Sequence, residues 1–134
     1  MATDRFMVWP TPAPNRRTLA VAAGDLLVIA GVLTVGELRH GINPVSRPLR
    51  VLDTIVPFAL AWVLVGSLVG AFVDRDRAGT VRVVVVGWLG AAHVALLLRG
   101  SPLFHGATPW AFSMVVTALP MAALLAWRLL AARY

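Results

Sequence analysis

No cysteine and no lysine occur anywhere in the 134-residue chain. The first absence excludes disulfides, thiolate chemistry and cysteine metal sites, and leaves the redox compartment unreadable. The second leaves arginine as the source of the whole formal charge of +6. Charge is scarce in either sign. Only 13% of the residues are charged, against roughly a quarter in a soluble domain. Also missing are a nucleophile elbow, a phosphate loop, paired catalytic carboxylates and a metalloprotease motif. No residues point to an enzyme, and no cofactor is expected.

What the chain does hold is apolar: 59% of its residues are hydrophobic. A soluble protein this short has too much surface for its volume to hide so many. Lipid must replace water around most of it. The arginines cluster between apolar runs, so membrane topology and anionic lipid headgroups account for them, and nucleic acid is not an expected partner.

A hydrocarbon core about 30 Å thick takes roughly 20 helical residues to cross. Four stretches have that length: Thr18 to Glu37, Thr54 to Val73, Arg82 to Arg99 and Pro109 to Arg128. Backbone groups in lipid must be satisfied within their segment, so each stretch is a helix. The expected fold is all-α, a four-helix transmembrane bundle in residues 18–134, preceded by an extended, proline-rich tail in residues 1–17. Asp53 and Thr54 are placed to cap the second helix, with Pro57 in its first turn. Thr108 and Pro109 open the fourth in the same manner, and the run from Asp74 to Gly79 reads as a tight loop. Arg16-Arg17 ahead of the first span faintly resembles a twin-arginine signal, but Asp25 interrupts the apolar run and no small-residue cleavage site follows.

Arginine placement sets the orientation. With the N-terminus inside, Arg5, Arg16, Arg17, Arg75, Arg77, Arg82, Arg128 and Arg133 are cytoplasmic, while Arg39, Arg47, Arg50 and Arg99 are outside. That imbalance predicts N-in, C-in in the cell membrane.

Asp25 carries the most information. The run from Leu26 to Gly36 is too short to cross alone, so the first helix must include Leu19 to Gly24. That places Asp25 within ~4 Å of the bilayer midplane at about 1.5 Å per residue. A carboxylate at that depth costs a few kcal/mol, and such residues are usually functional or paired. Counting depth from the middle of each span brings Ser67 and Trp88 to nearly the same level, and both can donate a hydrogen bond. His93 lies in the outer half of the third span, on one helical face with Arg82. Asp25, Ser67, Trp88 and His93 therefore form the candidate intramembrane polar site, read either as a clasp between helices or as a proton or cation site. Three scattered histidines lack ligand spacing, so no metal is expected.

Glu37, Arg39, His40 and Arg99 should meet the outer surface at similar height, as a candidate outer mouth that could gather anions or as a snorkelling belt. Gly66-xxx-Gly70, Gly87/Ala91/Ala95 and Ala118/Ala122/Ala126 are small-residue steps, read first as packing within the bundle and alternatively as a homo-oligomer interface. Pro120 cannot donate to the Val116 carbonyl and should kink the fourth helix. Trp127 and Arg128 read as an anchor at its cytoplasmic end.

These landmarks resemble the domain of unknown function 3054 family, small four-span membrane proteins of bacteria and archaea. The similar residues are Asp25, Gly36 and His40, then Thr54 with Pro57-Phe58, Arg99-Gly100, Phe112 and Trp127-Arg128. Glu37 stands where that pattern usually has an arginine. The resemblance implies no activity, but it implies that Asp25, His40 and Arg99 belong to one shared feature. The leading reading is a non-enzymatic membrane bundle that packs or docks a partner. The alternative is a small ion, proton or solute permeation protein using Asp25 as a protonatable site.

Overall fold

The computed structural model describes residues 16–73, 75–101 and 110–132. The expected tail up to residue 15, His105 and the Thr108-Pro109 cap lie outside them. Four helices follow in order: α1 (Arg16–Arg39), α2 (Pro48–Val69), α3 (Arg77–Arg99) and α4 (Trp110–Ala131). All four are long and apolar enough to cross a membrane. Each packs on its neighbour in sequence and α4 closes the ring against α1, while among the described residues the diagonal helices approach through side chains and not backbone to backbone. The result is an up-down-up-down bundle.

The helix ends follow local chemistry. Gly41 and Gly70 take positive φ, near 79° and 78°, and end α1 and α2 as glycine does where a left-handed residue is required. The Ala71 N–H returns to the Gly66 carbonyl at 2.7 Å, and that of Ile42 to Glu37 at 2.9 Å. Asp76 caps α3 by accepting from the Gly79 N–H at 2.8 Å, so the third helix begins inside the expected loop.

The second helix differs from expectation. It starts at Pro48, not at Thr54, and Pro57 sits in its interior. Hydropathy marks where a chain enters lipid, whereas nothing between Pro48 and Asp53 stops a helix from forming earlier. Proline at the N-terminal turn starts it without a side-chain cap. Thr54 is thereby released from capping and turns into the bundle.

Aromatic side chains fill the axis. Phe112 meets Phe58 edge-on at 6.4 Å between ring centroids. Phe58 stacks on Trp88 at 6.1 Å, Trp88 tilts against Trp62 at 6.0 Å, and Trp62 meets Phe72 at 6.0 Å. Such pairs add roughly 0.5–1.5 kcal/mol each beyond their area. Gly87, Ala91 and Ala95 are all buried, and a Cβ on Gly87 would come within 3.1 Å of the Trp62 ring. Small residues on α3 thus make room for large ones on α2, as membrane packing requires. Ala118, Ala122 and Ala126 are instead exposed. This corrects their assignment to the interior, because a four-residue period fixes a stripe but not the side on which it falls.

Candidate functional site

Two polar clusters lie at opposite ends of the aromatic column. The first is built on Asp25, which is 0% exposed. It does not meet Trp88 or Ser67. Arg128 grips it in a fork, Nε to Oδ1 at 2.8 Å and Nη2 to Oδ2 at 2.6 Å, the two-bond geometry at which guanidinium is best. The Trp62 indole N–H donates to Oδ2 at 3.1 Å. The remaining Arg128 nitrogen, Nη1, donates to the Ala71 carbonyl at 2.8 Å, and its guanidinium lies over the Phe72 ring at 5.8 Å. Arg128 is 7% exposed.

Arg128 is therefore not the lipid-surface anchor that its place beside Trp127 suggests. Its long stem carries the cation inward from the last turns of α4 to the level of the acid. Trp127 also turns inward, donating to the Val21 carbonyl at 3.4 Å. Its ring lies so close to Gly24 that a Cβ there would be 2.0 Å away. The glycine is what lets α1 and α4 meet at this level.

The rest of the expected intramembrane set is dispersed. Ser67 and His93 are exposed, and the His93 Nδ1 lies 2.6 Å from the Leu89 carbonyl of its own helix. Trp88 is buried and faces α4, donating to the carbonyls of Val116 at 3.2 Å and Thr117 at 3.0 Å. It supplies the donor that Pro120 removes from Val116. Depth along a helix ranked these partners, but depth says nothing of azimuth, and α3 stands diagonally across from α1.

The second cluster joins Glu37 on α1, Thr54 on α2 and Arg99 on α3, all buried. The Thr54 hydroxyl donates to Glu37 Oε1 and accepts from Arg99 Nη1 at 2.8 Å. The Arg99 guanidinium covers the Phe112 ring at 4.5 Å. Arg39 and His40 are exposed but line, with Glu37, Thr54 and Arg99, a groove of about 1160 Å³ between α1 and α4. Arg50 joins them, a residue that sequence reasoning counted only for topology.

The family model described as "Protein of unknown function (DUF3054)" matches residues 22–131. The chain belongs to the DUF3054 family. No curated protein and no solved structure matches it significantly. The residues on which the resemblance to this family rests separate in space into the two clusters. Asp25 and Trp127-Arg128 lie at one, and His40, Thr54, Arg99 and Phe112 at the other. The single shared feature implied for Asp25, His40 and Arg99 is thus two features joined by Phe58 and its aromatic neighbours.

Proposed function

We infer that this multi-pass membrane protein is a non-enzymatic bundle of the cell membrane, with both termini in the cytoplasm, in which Asp25 is a structural clasp. Its outer groove between α1 and α4 receives a membrane-embedded partner. One observation carries the reading of Asp25: both carboxylate oxygens are taken by N–H donors and the side chain is fully enclosed. A site for proton or ion passage needs access to water on at least one face. The small recess beside Arg128, about 50 Å³, is lined by Arg17, Phe72 and Arg75 among others but not by Asp25. The large groove is not lined by Asp25 either. The aromatic column occupying the axis argues in the same direction, and the arginine distribution supports the orientation.

Proteoliposome flux of protons and small ions tests this reading, with wild type beside Asp25→Asn. We expect no flux from either protein and a clear loss of thermal stability in the variant. A flux in wild type that vanishes in Asp25→Asn overturns the clasp and establishes the permeation alternative.

A further inference from the structure

We propose that the groove between α1 and α4 holds one anionic membrane lipid, its acyl chains lying between the helices and its headgroup against the arginines at the α1 C-terminus. The inference rests on the docking role given above to the same groove, and it names the occupant.

Three features of the groove select that chemistry. The first is size. At about 1160 Å³ it exceeds the roughly 300–1,000 Å³ of most small-molecule sites. It is lined on α1 from Leu27 to Arg39 and on α4 from Ala111 to Ala126, which is roughly 18–22 Å at the rise of a helix. That is longer than one leaflet of the hydrocarbon core, about 15 Å. The length and volume suit acyl chains.

The second is polarity by height. Leu27, Gly31 and Val35 face Val115, Leu119 and Ala122 along the walls, and all the charged residues sit at one end. At the other end the two helices are fastened, where Arg17 reaches the Ala131 carbonyl at 3.3 Å and Trp127 seats on Gly24. A Cβ built on Gly31 or Gly36 meets nothing within 4 Å, so these glycines border space instead of a neighbouring helix. A groove with apolar flanks and a polar rim at the helix ends is shaped for an amphiphile standing in a leaflet.

The third is charge. Arg39, Arg50 and Arg99 line the polar end against one acid, Glu37, whose carboxylate is turned toward the Thr54 hydroxyl. Arg39 and Arg50 are exposed there. The rim therefore complements a negative headgroup. The same charges oppose a second copy of this chain, since a two-fold axis along the membrane normal brings the partner's basic rim to the same level.

The test is native mass spectrometry of the full chain released from nanodiscs containing equal amounts of dioleoyl phosphatidylglycerol and dioleoyl phosphatidylcholine. With about two net positive charges at the rim, wild type should retain the anionic lipid about thirtyfold over the zwitterionic one. Arg39→Gln with Arg50→Gln should abolish that preference. Gly31→Leu, whose Cβ enters open space and whose longer side chain extends into the groove, should abolish retention altogether, and Ala122→Leu gives the same test from α4. Circular dichroism and thermal unfolding verify that each variant is folded.

Equal retention of the two lipids by wild type overturns the proposal. So does unchanged retention in folded Gly31→Leu and Ala122→Leu. Retention of no lipid, with chains cross-linked through α1 and α4, assigns the groove to a second copy and also overturns it, while leaving the docking role intact. None of these variants touches Asp25 or Arg128. An Asp25-dependent flux would therefore sink the clasp reading independently of lipid retention.

Discussion

Replacing Asp25 by asparagine keeps the shape of the side chain and removes its charge, which strands the Arg128 guanidinium in the bundle. Asparagine keeps one acceptor oxygen, but its NH2 turns donors toward a group that has only donors. Arg128→Met does the reverse, leaving the carboxylate with the Trp62 N–H alone and the Ala71 carbonyl without its Nη1 donor. Removing one member of a buried ion pair costs about 3–5 kcal/mol, most of it from the charge left behind. An ordinary hydrogen bond between membrane helices contributes only about 0.6 kcal/mol. The two magnitudes are far enough apart to decide the matter. Unfolding of the reconstituted protein by denaturant gives the free energies of wild type, both single variants and the double variant. Each single should lose about 3–5 kcal/mol, and the double should fall short of their sum by about 2–3 kcal/mol, because neither charge is then stranded. Single losses below about 1 kcal/mol that simply add would refute the clasp.

Gly24→Ala should destabilise the bundle by about 1–3 kcal/mol, as overpacking does, because its Cβ collides with the Trp127 ring. Gly31→Ala, on the same helix but facing open space, should be neutral or stabilise by up to about 1 kcal/mol; thermal unfolding of the pair separates the cases. Trp88→Phe withdraws the donor from the Val116 carbonyl and should cost about 1–3 kcal/mol. Introducing Pro120→Ala restores a backbone N–H to that carbonyl, so a double-mutant cycle should show coupling. Thr54→Val removes the hydroxyl between Glu37 and Arg99. It should lower stability by about 1–3 kcal/mol, whereas Ser at the same position should retain most of it.

The four spans were legible because lipid demands long apolar helices and the chain offers four. Asp25 was legible because a carboxylate so near the middle of α1 has no other reason to be tolerated. Its partner was not. Arg128 lies in the last turns of α4 beside a tryptophan, a pattern shared with interfacial anchors, and only the inward turn of its side chain separates the two. The freed Val116 carbonyl could be derived from Pro120, but its donor required knowing that α3 adjoins α4 and stands diagonal to α1. At the other end, the common height of Glu37 and Arg99 followed from helix length. Thr54 was read as a cap because a span and a helix were assumed to begin together.

The turn after α2 shows what the clasp means for biogenesis. Two of its carbonyls, Gly70 and Ala71, are taken by Arg75 at 3.1 Å and by Arg128 at 2.8 Å. The acid in the first span and the cation that neutralises it are 103 positions apart. A ribosome adding roughly 5–20 residues per second reaches the cation about 5–20 s after the acid. Until then the carboxyl group lacks its cation, and the Ala71 carbonyl, once made, lacks its Nη1 donor. Insertion of α4 supplies the partner of both Asp25 and the Ala71 carbonyl, so a single step neutralises the acid and covers that carbonyl.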